Sequence, residues 1–142
     1  MKRVLGLSVY HADASAAAVV DGRFVAGVEE ERFRRIKHWA GFPERAARFC
    51  LEEMGGDLKG LTALAVARQP RAYLLRKAAL ALSHPRSLRR ALGRARNLRQ
   101  VASLEDRIAT ALGGPAPALH PVEHHLAHVA SAFFCSPFQE AM

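Results

Sequence analysis

The sequence predicts an α/β protein in which an antiparallel β-meander is followed by helices and further strands. Three short apolar runs occupy the first thirty residues, and the second and third flank the dipeptide Asp21-Gly22. Beyond them, segments with the apolar spacing of helices alternate with segments typical of strands. The chain has 142 residues, of which 50% are hydrophobic, so its length fits one domain with a buried core.

The meander is predicted from residues 4–10 and from the two runs around Asp21-Gly22. The segment VLGLSVY, residues 4–10, is almost continuously apolar, as expected for a strand buried on both faces. An Asp-Gly pair between apolar runs favours a type I′ hairpin turn, because both central residues of that turn need positive φ. We therefore expect three antiparallel strands in chain order.

A helix is predicted next, in GFPERAARFCLEEMGG. Pro43 suits a first helical turn, Glu44 lies at the positive end of the helix dipole, and Gly55-Gly56 ends the helix. Its apolar residues fall on one face. They are Ala46, Ala47, Cys50, Leu51 and Met54.

The rest of the chain is predicted to add two strands and further helices. Residues 61–68 are predicted as a fourth strand, and residues 71–113 as mostly helical with a break near His84-Pro85. The segment PALHPVEHH is predicted as a fifth strand that leads into a helix opening near His124. This order matches the N-terminal half of an actin-like or ribonuclease-H-like domain, and ligands of such α/β sheets collect at the sheet edge.

The net charge of +8 is concentrated in the middle of the chain. No acidic residue occurs between Asp57 and Glu105, where eleven Lys or Arg residues lie. A solvated helical face and a surface for phosphate-bearing ligands, nucleic acid or an acidic domain are both compatible with this block. Tyr73 is its one aromatic residue, so a base-stacking surface is disfavoured.

The cysteines and the lack of long apolar runs bear on location. Cys50 and Cys135 are far apart and have no disulfide-framework spacing, which favours a reducing compartment. No stretch approaches the roughly 20 apolar residues that a membrane span requires. We expect a soluble, cytoplasmic protein.

The first candidate site residues follow the first predicted strand, in His11-Ala-Asp13-Ala-Ser15. An imidazole, a carboxylate and a hydroxyl on one turn can orient a substrate and move a proton. The alternative is that Asp13 and Ser15 bind backbone amides of the turn, as these residue types commonly do. The residues alone leave both interpretations open.

The second candidate is the charged segment VEEERFRRIKHWAGFP. Such a dense run of opposite charges is usually a solvated surface whose side chains pair with one another. It lies between the third strand and the predicted helix, however, and so at the edge of the sheet where ligands bind. His38 and Trp39 would then wall a pocket.

The third candidate is His124 and His128 in VEHHLAHVASAFF. Four residues apart on a helix, the two imidazoles share one face and lie about one turn from each other. This is the geometry with which a pair of histidines binds one divalent metal ion. Ordinary, partly buried histidines are the alternative, and a metal site needs further ligands.

Taken together, these segments resemble a known family. LGLSVYHADASAAAVVDGRFVAGVEEERFRRIKHWAGFP and VEHHLAHVASAFFCSPFQEA are similar to the N-terminal region of the carbamoyltransferases, which include nodulation protein U and the O-carbamoyltransferases of antibiotic biosynthesis. The resemblance implies that residues 1–142 are the N-terminal portion of the metal- and nucleotide-binding carbamoyltransferase domain. Residues 69–113 are then a basic helical insertion within it.

The resemblance also implies an activity and its cofactors. Carbamoyl phosphate and ATP give carbamoyl adenylate, whose carbamoyl group is transferred to the hydroxyl of a small acceptor such as a sugar or an antibiotic-like compound. A divalent metal ion, iron in this type, takes part. The implied site residues are His124 and His128 as metal ligands, His11 and Asp13 near the transfer centre, and Arg32, Lys37 and His38 as cofactor contacts.

Family members are several times longer than this chain, which raises a question about its completeness. We expect a fragment, a truncated product or half of a split enzyme, with weak or no metal affinity and no transfer activity alone. The alternative is a non-catalytic or split-enzyme interaction module that pairs with a separately encoded C-terminal remainder. A homodimer is left open, and a nucleic-acid-binding domain based on residues 68–99 is the least favoured interpretation.

Overall fold

The computed structural model describes residues 1–67, 104–115 and 117–140 of the chain. Within them, five strands form one mixed sheet in the order β3-β2-β1-β4-β5. The strands are β1 (Arg3–Ser8), β2 (Ser15–Val20), β3 (Arg23–Glu29), β4 (Ala63–Val66) and β5 (Leu119–Pro121). The helices are α1 (Glu31–Arg34), α2 (Glu44–Glu53), α3 (Leu104–Leu112) and α4 (His124–Phe134), and a 3₁₀ turn spans Leu58–Gly60.

The predicted antiparallel meander is confirmed. β1 pairs with β2 and β2 with β3, both antiparallel. Asp21 and Gly22 both have positive φ, 49° and 80°, as the predicted hairpin turn requires. The Asp21 carboxylate also accepts a hydrogen bond from the Lys2 backbone N–H at 2.6 Å, which ties the turn to the start of the chain.

The first strand is shorter than predicted. It ends at Ser8, whereas the apolar pattern extended it to Tyr10. Tyr10 has a φ of 57°, outside the β region, and its backbone N–H donates to the carbonyl of Gly41 instead of to a neighbouring strand. The pattern could not show this end, because Val9 is buried like a strand residue.

The parallel part of the sheet confirms the predicted fold class. β4 lies parallel to β1, and β5 lies parallel to β4. An antiparallel meander joined to parallel strands is the arrangement predicted for the N-terminal half of an actin-like or ribonuclease-H-like domain. The predicted fourth and fifth strands are therefore present, although both are shorter than their apolar segments.

The two faces of the sheet carry side chains of different size. One face is an apolar core, with leucine and valine side chains from β1 and β4 and alanines from β2, and it packs against α2 and α3. It includes Leu5, Leu7, Ala16, Ala18, Leu64 and Val66, with Leu104 and Ile108 from α3. Because side chains alternate along a strand, the opposite face carries Gly6, Ser8, Ala17 and Ala65. These residues leave space above that face.

The predicted helix over GFPERAARFCLEEMGG is confirmed as α2. Ala46, Ala47, Cys50 and Leu51 are its buried residues, and Met54 just beyond it is buried too. Pro43 immediately precedes the first helical residue. As the N-cap residue it makes no side-chain hydrogen bond to the helix. The sequence did not predict the one-turn helix α1, whose last residue is followed by Arg35 with a φ of 59° as the C-cap.

The basic helical segment predicted over residues 69–113 can be assessed only at its end. Residues 68–103 lie outside the described part of the chain, as does the predicted break near His84-Pro85. Leu104–Leu112 is helical, in agreement with the prediction. No helix among the described residues is long and apolar enough to span a bilayer.

Thiol labelling should distinguish the two cysteines. Cys50 is buried in the core and Cys135 is exposed, and both are free. Burial raises the pKa of the Cys50 thiol to about 11, so that it stays protonated and unreactive at neutral pH. We expect a thiol-reactive dye to modify one cysteine rapidly in the folded protein and the second only after denaturation. Cys135→Ser should remove the rapid phase, and two rapid phases in the wild type would contradict this packing.

Candidate functional site

The candidate site is a cavity of about 710 Å³ on the small-residue face of the sheet. Gly6, Ser8, Ala17 and Ala65 form part of its floor. Helix α4 lines it from above with residues at helical spacing, namely His124, Ala127, His128 and Ser131. The turn after β1 completes the wall with His11 and Asp13. Two of the three candidate segments therefore meet in one place.

Glu123 sets the start of α4. Its carboxylate accepts a hydrogen bond from the Leu126 backbone N–H at 2.8 Å, which caps the helix, and it contacts the His125 ring nitrogen Nδ1 at 2.9 Å. These two contacts lower the pKa of Glu123, the His125 contact having the larger effect. His125 is turned outward with 88% of its side chain exposed, while His124 and His128 line the cavity.

His124 and His128 approach each other closely, as predicted for a helix-borne pair. Their Nε2 atoms are 3.2 Å apart, and the rings are nearly perpendicular at 85°. Two ligand atoms that are each about 2.1 Å from one metal ion lie about 3.0–3.4 Å apart when the angle at the metal is 90–109°. The spacing of this pair fits a shared metal ion.

The described residues do not by themselves form a metal site with three or more protein ligands. Across residues 1–67, 104–115 and 117–140, no group of three or more His, Cys, Asp or Glu side chains converges in a metal-binding arrangement. His11 is close to the pair, since its ring stacks on that of His124 at 5.0 Å and 21°. The pair therefore fits a metal ion but needs ligands from elsewhere to hold it firmly.

Asp13 connects the cavity to the charged segment. Asp13 has a φ of 64°, and its carboxylate lies 2.9 Å from Nδ1 of His38, whose φ is 54°. The His38 backbone N–H in turn donates to the Glu31 carboxylate at 3.2 Å. These contacts hold Asp13 and His38 in their positive-φ conformations. They thereby fix the orientation of the Asp13 side chain in the cavity wall.

The other predicted cofactor contacts lie away from the cavity. Lys37 is 82% exposed and reaches Glu31 at 3.3 Å, and Arg32 is exposed on α1. His38 is 76% exposed and meets the site only through Asp13. A role for these three residues in binding a nucleotide stays a prediction.

Glu30 is an important residue whose role the sequence did not predict. Interpreting the charged run as a solvated surface is wrong at this position, because Glu30 is completely buried. Its carboxylate accepts from Nε of Arg34 at 2.7 Å and from the backbone N–H of Ala46 at 2.9 Å. Ala46 is the third residue of α2, so Glu30 caps a helix that lacks a capping side chain of its own. The Glu30/Arg34 spacing and the Pro at the helix start were the available signals.

Arg34 and Trp39 extend this arrangement to the candidate site. The Arg34 guanidinium lies 4.5 Å from the centre of the Trp39 ring, in a cation–π contact. The Trp39 carbonyl accepts a hydrogen bond from the Ala14 N–H at 2.9 Å, and the Ala14 carbonyl accepts one from the Glu30 N–H at 2.8 Å. The backbones of Glu30 and Trp39 therefore hold the turn that carries His11 and Asp13.

Comparisons with known proteins bear on the family of the chain. A family described as Carbamoyltransferase N-terminus matches residues 3–142. An uncharacterised protein of Synechocystis sp. is 38% identical over 150 residues, which cover 99% of this chain and 24% of that protein. Nodulation protein NolNO of Sinorhizobium fredii is 43% identical over 53 residues, 37% of this chain and 8% of that protein.

A comparison with solved structures gave YeaZ from Pseudomonas aeruginosa. It has 22% sequence identity and a TM-score of 0.46, over 94% of this chain and 49% of that one. The chain spans about a quarter of the length of its Synechocystis relative.

Replacing Glu30 should destabilise the fold. A Gln side chain at this position can accept one hydrogen bond but turns an N–H group toward the second buried donor. We expect Glu30→Gln to lower the free energy of unfolding by about 1–3 kcal/mol, the usual cost of a buried donor left without its partner. Urea denaturation followed by circular dichroism measures this loss.

Glu31→Gln is the matched control. The His38 backbone N–H and then the Lys37 ammonium lower the pKa of Glu31 below its usual value of 4.5. Its ionised form therefore stabilises the fold above that pH, and this contribution disappears as the pH falls through the lowered pKa. The control should lose less stability than Glu30→Gln at pH 7, and its difference from the wild type should vanish in acid. Equal losses for the two variants at neutral pH would contradict the role assigned to Glu30.

Proposed function

Because the chain belongs to the Carbamoyltransferase N-terminus family, we propose that it forms part of an enzyme that transfers a carbamoyl group to an acceptor hydroxyl. Carbamoyl phosphate and ATP are the proposed co-substrates, with carbamoyl adenylate as the activated donor. The proposed acceptor is a small molecule with a hydroxyl group, of the sugar or antibiotic type. The observation that supports this most is the cavity in which His11, Asp13, His124 and His128 meet.

His124 and His128 are the proposed ligands of a divalent metal ion, with iron favoured by the family resemblance. Their Nε2 atoms face each other at 3.2 Å, and both must be unprotonated to share a metal. When bound, such an ion supplies positive charge that neutralises the phosphate leaving group. Further ligands must come from outside the described residues.

His11 is the proposed general base. It lines the cavity beside the histidine pair, and an imidazole is the side chain best suited to take a proton from a hydroxyl near neutral pH. The attacking oxygen would lose its proton to a His11 ring nitrogen as it bonds to the carbamoyl carbon of carbamoyl adenylate, while the bond from that carbon to the phosphate oxygen breaks and AMP leaves. Stacking on His124 limits the rotation of the His11 ring.

Asp13 is proposed to orient the acceptor. An ionised carboxylate accepts hydrogen bonds and donates none. Asp13 would therefore select a hydroxyl group that points its hydrogen toward the cavity wall. His38 holds Asp13 in place from outside. On the same exposed side, Arg32, Lys37 and the His38 ring are the proposed contacts for the nucleotide, since two cations and an imidazole suit phosphate oxygens.

A second proposal, that the chain is an interaction module, is favoured by the outer face of α4. No residue of this eleven-residue helix is buried. Its histidine face points into the cavity, whereas Leu126 and Val129, on the opposite side, are 60% and 66% exposed. A helix that is apolar away from its own domain normally packs against another element. The proposed partner is the C-terminal remainder of a family member, supplied by a longer or a separate chain.

Three further proposals concern partners and location. A homodimer would also cover the outer face of α4. Nucleic-acid binding would rest on residues 68–99, which lie outside the described part of the chain. A cytoplasmic location stays a prediction.

Metal titration tests the role of the histidine pair. We expect anaerobic calorimetry with Fe²⁺ to give weak binding to the wild-type chain, because two protein ligands are fewer than a stable site uses. His124→Ala and His128→Ala should each weaken that binding by at least about tenfold. Removing even a residue that only orients a metal ligand lowers the metal affinity about 10–100-fold, and a ligand itself should matter at least as much.

His125→Ala is the matched control for this titration. It removes a neighbouring imidazole that points to solvent, so it should leave Fe²⁺ binding unchanged. Equal binding by all four proteins would place the metal elsewhere and sink the proposed ligand pair.

Pairing with the rest of a family member tests the two functional proposals together. The chain alone should show no carbamoyl transfer with carbamoyl phosphate, ATP and a sugar acceptor. Adding the part of the Synechocystis relative outside the matched region should give a complex on size-exclusion chromatography. We expect Leu126→Asp with Val129→Asp to abolish that complex, because the buried apolar contact would then contain two charges.

Ile36→Asp serves as the control, since Ile36 is 51% exposed on a different part of the surface. Turnover by the isolated chain would contradict the first expectation. Undiminished pairing by the α4 double variant would contradict the second.

A further inference from the structure

Two serine side chains border the turn that carries His11 and Asp13. Ser8 is the last residue of β1, Ser15 is the first residue of β2, and the two are register partners in the sheet. Both line the cavity of the candidate site, which we call the histidine cavity. Side chains of register partners point to the same face, with their Cβ atoms about 4.5–5.5 Å apart. The two hydroxyls therefore form a pair in the lining of this cavity.

The protein itself does not use these two hydroxyls. Among residues 1–67, 104–115 and 117–140, no group forms a hydrogen bond with the hydroxyl of Ser8 or of Ser15. The third serine of the lining differs, because the Ser131 hydroxyl donates to the His128 carbonyl at 2.9 Å. Ser8 and Ser15 are thus the two serine hydroxyls that the described lining leaves available to a ligand.

The charges near the serines favour an uncharged group between them. The described lining contains no Lys or Arg, and its carboxylate is that of Asp13. Glu29, the register partner of Ser15 on β3, adds a second carboxylate on the same face of the sheet. An anionic group placed between the serines would therefore be repelled. Because a hydroxyl can donate or accept, the pair suits a neutral group that carries one acceptor and one donor.

Glu29 also gives such a group an orientation. The row of register partners across the sheet is Glu29, Ser15 and Ser8, so the carboxylate is next to Ser15 and one strand farther from Ser8. The electronegative acceptor atom of a ligand avoids the carboxylate, and an N–H donor is attracted to it. The acceptor atom therefore belongs at Ser8 and the N–H donor at Ser15.

We propose that Ser8 and Ser15 bind the carbamoyl group of the donor, and that they select it over other acyl groups. The Ser8 hydroxyl donates to the carbamoyl oxygen, and the Ser15 hydroxyl accepts from the NH₂ group. This assignment rests on the proposed function, in which His11 and Asp13 hold the acceptor hydroxyl. The carbamoyl carbon must then lie about 3–3.5 Å from the attacking oxygen, and the serines border the turn that holds that oxygen.

An acetyl group is the closest competitor in shape. It has the same planar form and the same carbonyl oxygen, but it places a methyl group where the carbamoyl group has NH₂. Ser15 would then face carbon instead of a hydrogen-bond donor. A site built for a polar group discriminates against the analogue that lacks that group, because the polar side chain is left unpaired.

Binding of two isosteric esters to the chain tests the proposal without metal, nucleotide or turnover. Ethyl carbamate carries the carbamoyl group, and ethyl acetate has a methyl group in place of its NH₂. We expect ethyl carbamate to shift the backbone amide cross-peaks of Ser8 and Ser15 saturably in heteronuclear NMR, at millimolar concentrations because the ligand is so small. It should bind about three- to tenfold more tightly than ethyl acetate, as expected for one additional hydrogen bond.

Substitutions separate the roles of the two hydroxyls. Ser15→Ala should remove the preference for ethyl carbamate, whereas Ser15→Thr, which keeps a hydroxyl, should retain it. Ser8→Ala should weaken both esters by a similar factor, because both have the carbonyl oxygen. Ser131→Ala is the matched control and should leave both affinities unchanged, since its hydroxyl is bound to the helix backbone. Melting temperatures establish that the variants are folded.

Three results would overturn the proposal. They are no saturable shift with ethyl carbamate, no preference for it in the wild type, and an unchanged preference in Ser15→Ala. Carbamoyl transfer by the complex with the remainder of the Synechocystis relative, together with any of these results, would refute the serine assignment alone. A preference that disappears in Ser15→Ala, together with a complex that does not transfer, would support the serine assignment and count against the proposed function.

Discussion

The buried carboxylate of Glu30 is the contact on which the rest of the site depends. A carboxylate removed from water is stable only when its hydrogen bonds are replaced, and Glu30 obtains them from Arg34 and from the Ala46 N–H. In doing so it joins the end of β3, the one-turn helix α1 and the start of α2. Arg34 also contacts the Trp39 ring, and the Trp39 backbone carbonyl accepts from the Ala14 N–H, so the turn that carries His11 and Asp13 is joined to the same cluster.

Features that depend on neighbouring residues could be predicted from the sequence. The hairpin at Asp21-Gly22, helix α2 and the opening of α4 near His124 each have local signals in turn chemistry or apolar spacing. The closeness of His124 and His128 follows from helical geometry alone. The structure confirms these elements and the closeness of the two imidazoles, whereas a metal-binding role for the pair stays a prediction.

Features that depend on distant residues could not be predicted. Glu30 meets Ala46 across 16 positions, and Asp13 meets His38 across 25, so neither contact leaves a periodic pattern. The early end of β1 has the same origin, since the Tyr10 N–H finds its partner at Gly41. For the same reason, the burial of residues in a charged run cannot be predicted from the sequence. Glu30 and Glu31 are adjacent, yet Glu30 is buried whereas Glu31 pairs with the exposed Lys37.

The alternation of large and small side chains in β1 and β4 links the core to the histidine cavity. Leu5 and Leu7 fill one face of the sheet while Gly6 and Ser8 leave room on the other. A one-residue slip of β1 would exchange the two sets, placing leucines in the cavity and leaving voids in the core. A misregistered chain would therefore lose the cavity and its packing in the same event. Cellular quality control that detects loose packing would also remove the molecules that lack the cavity.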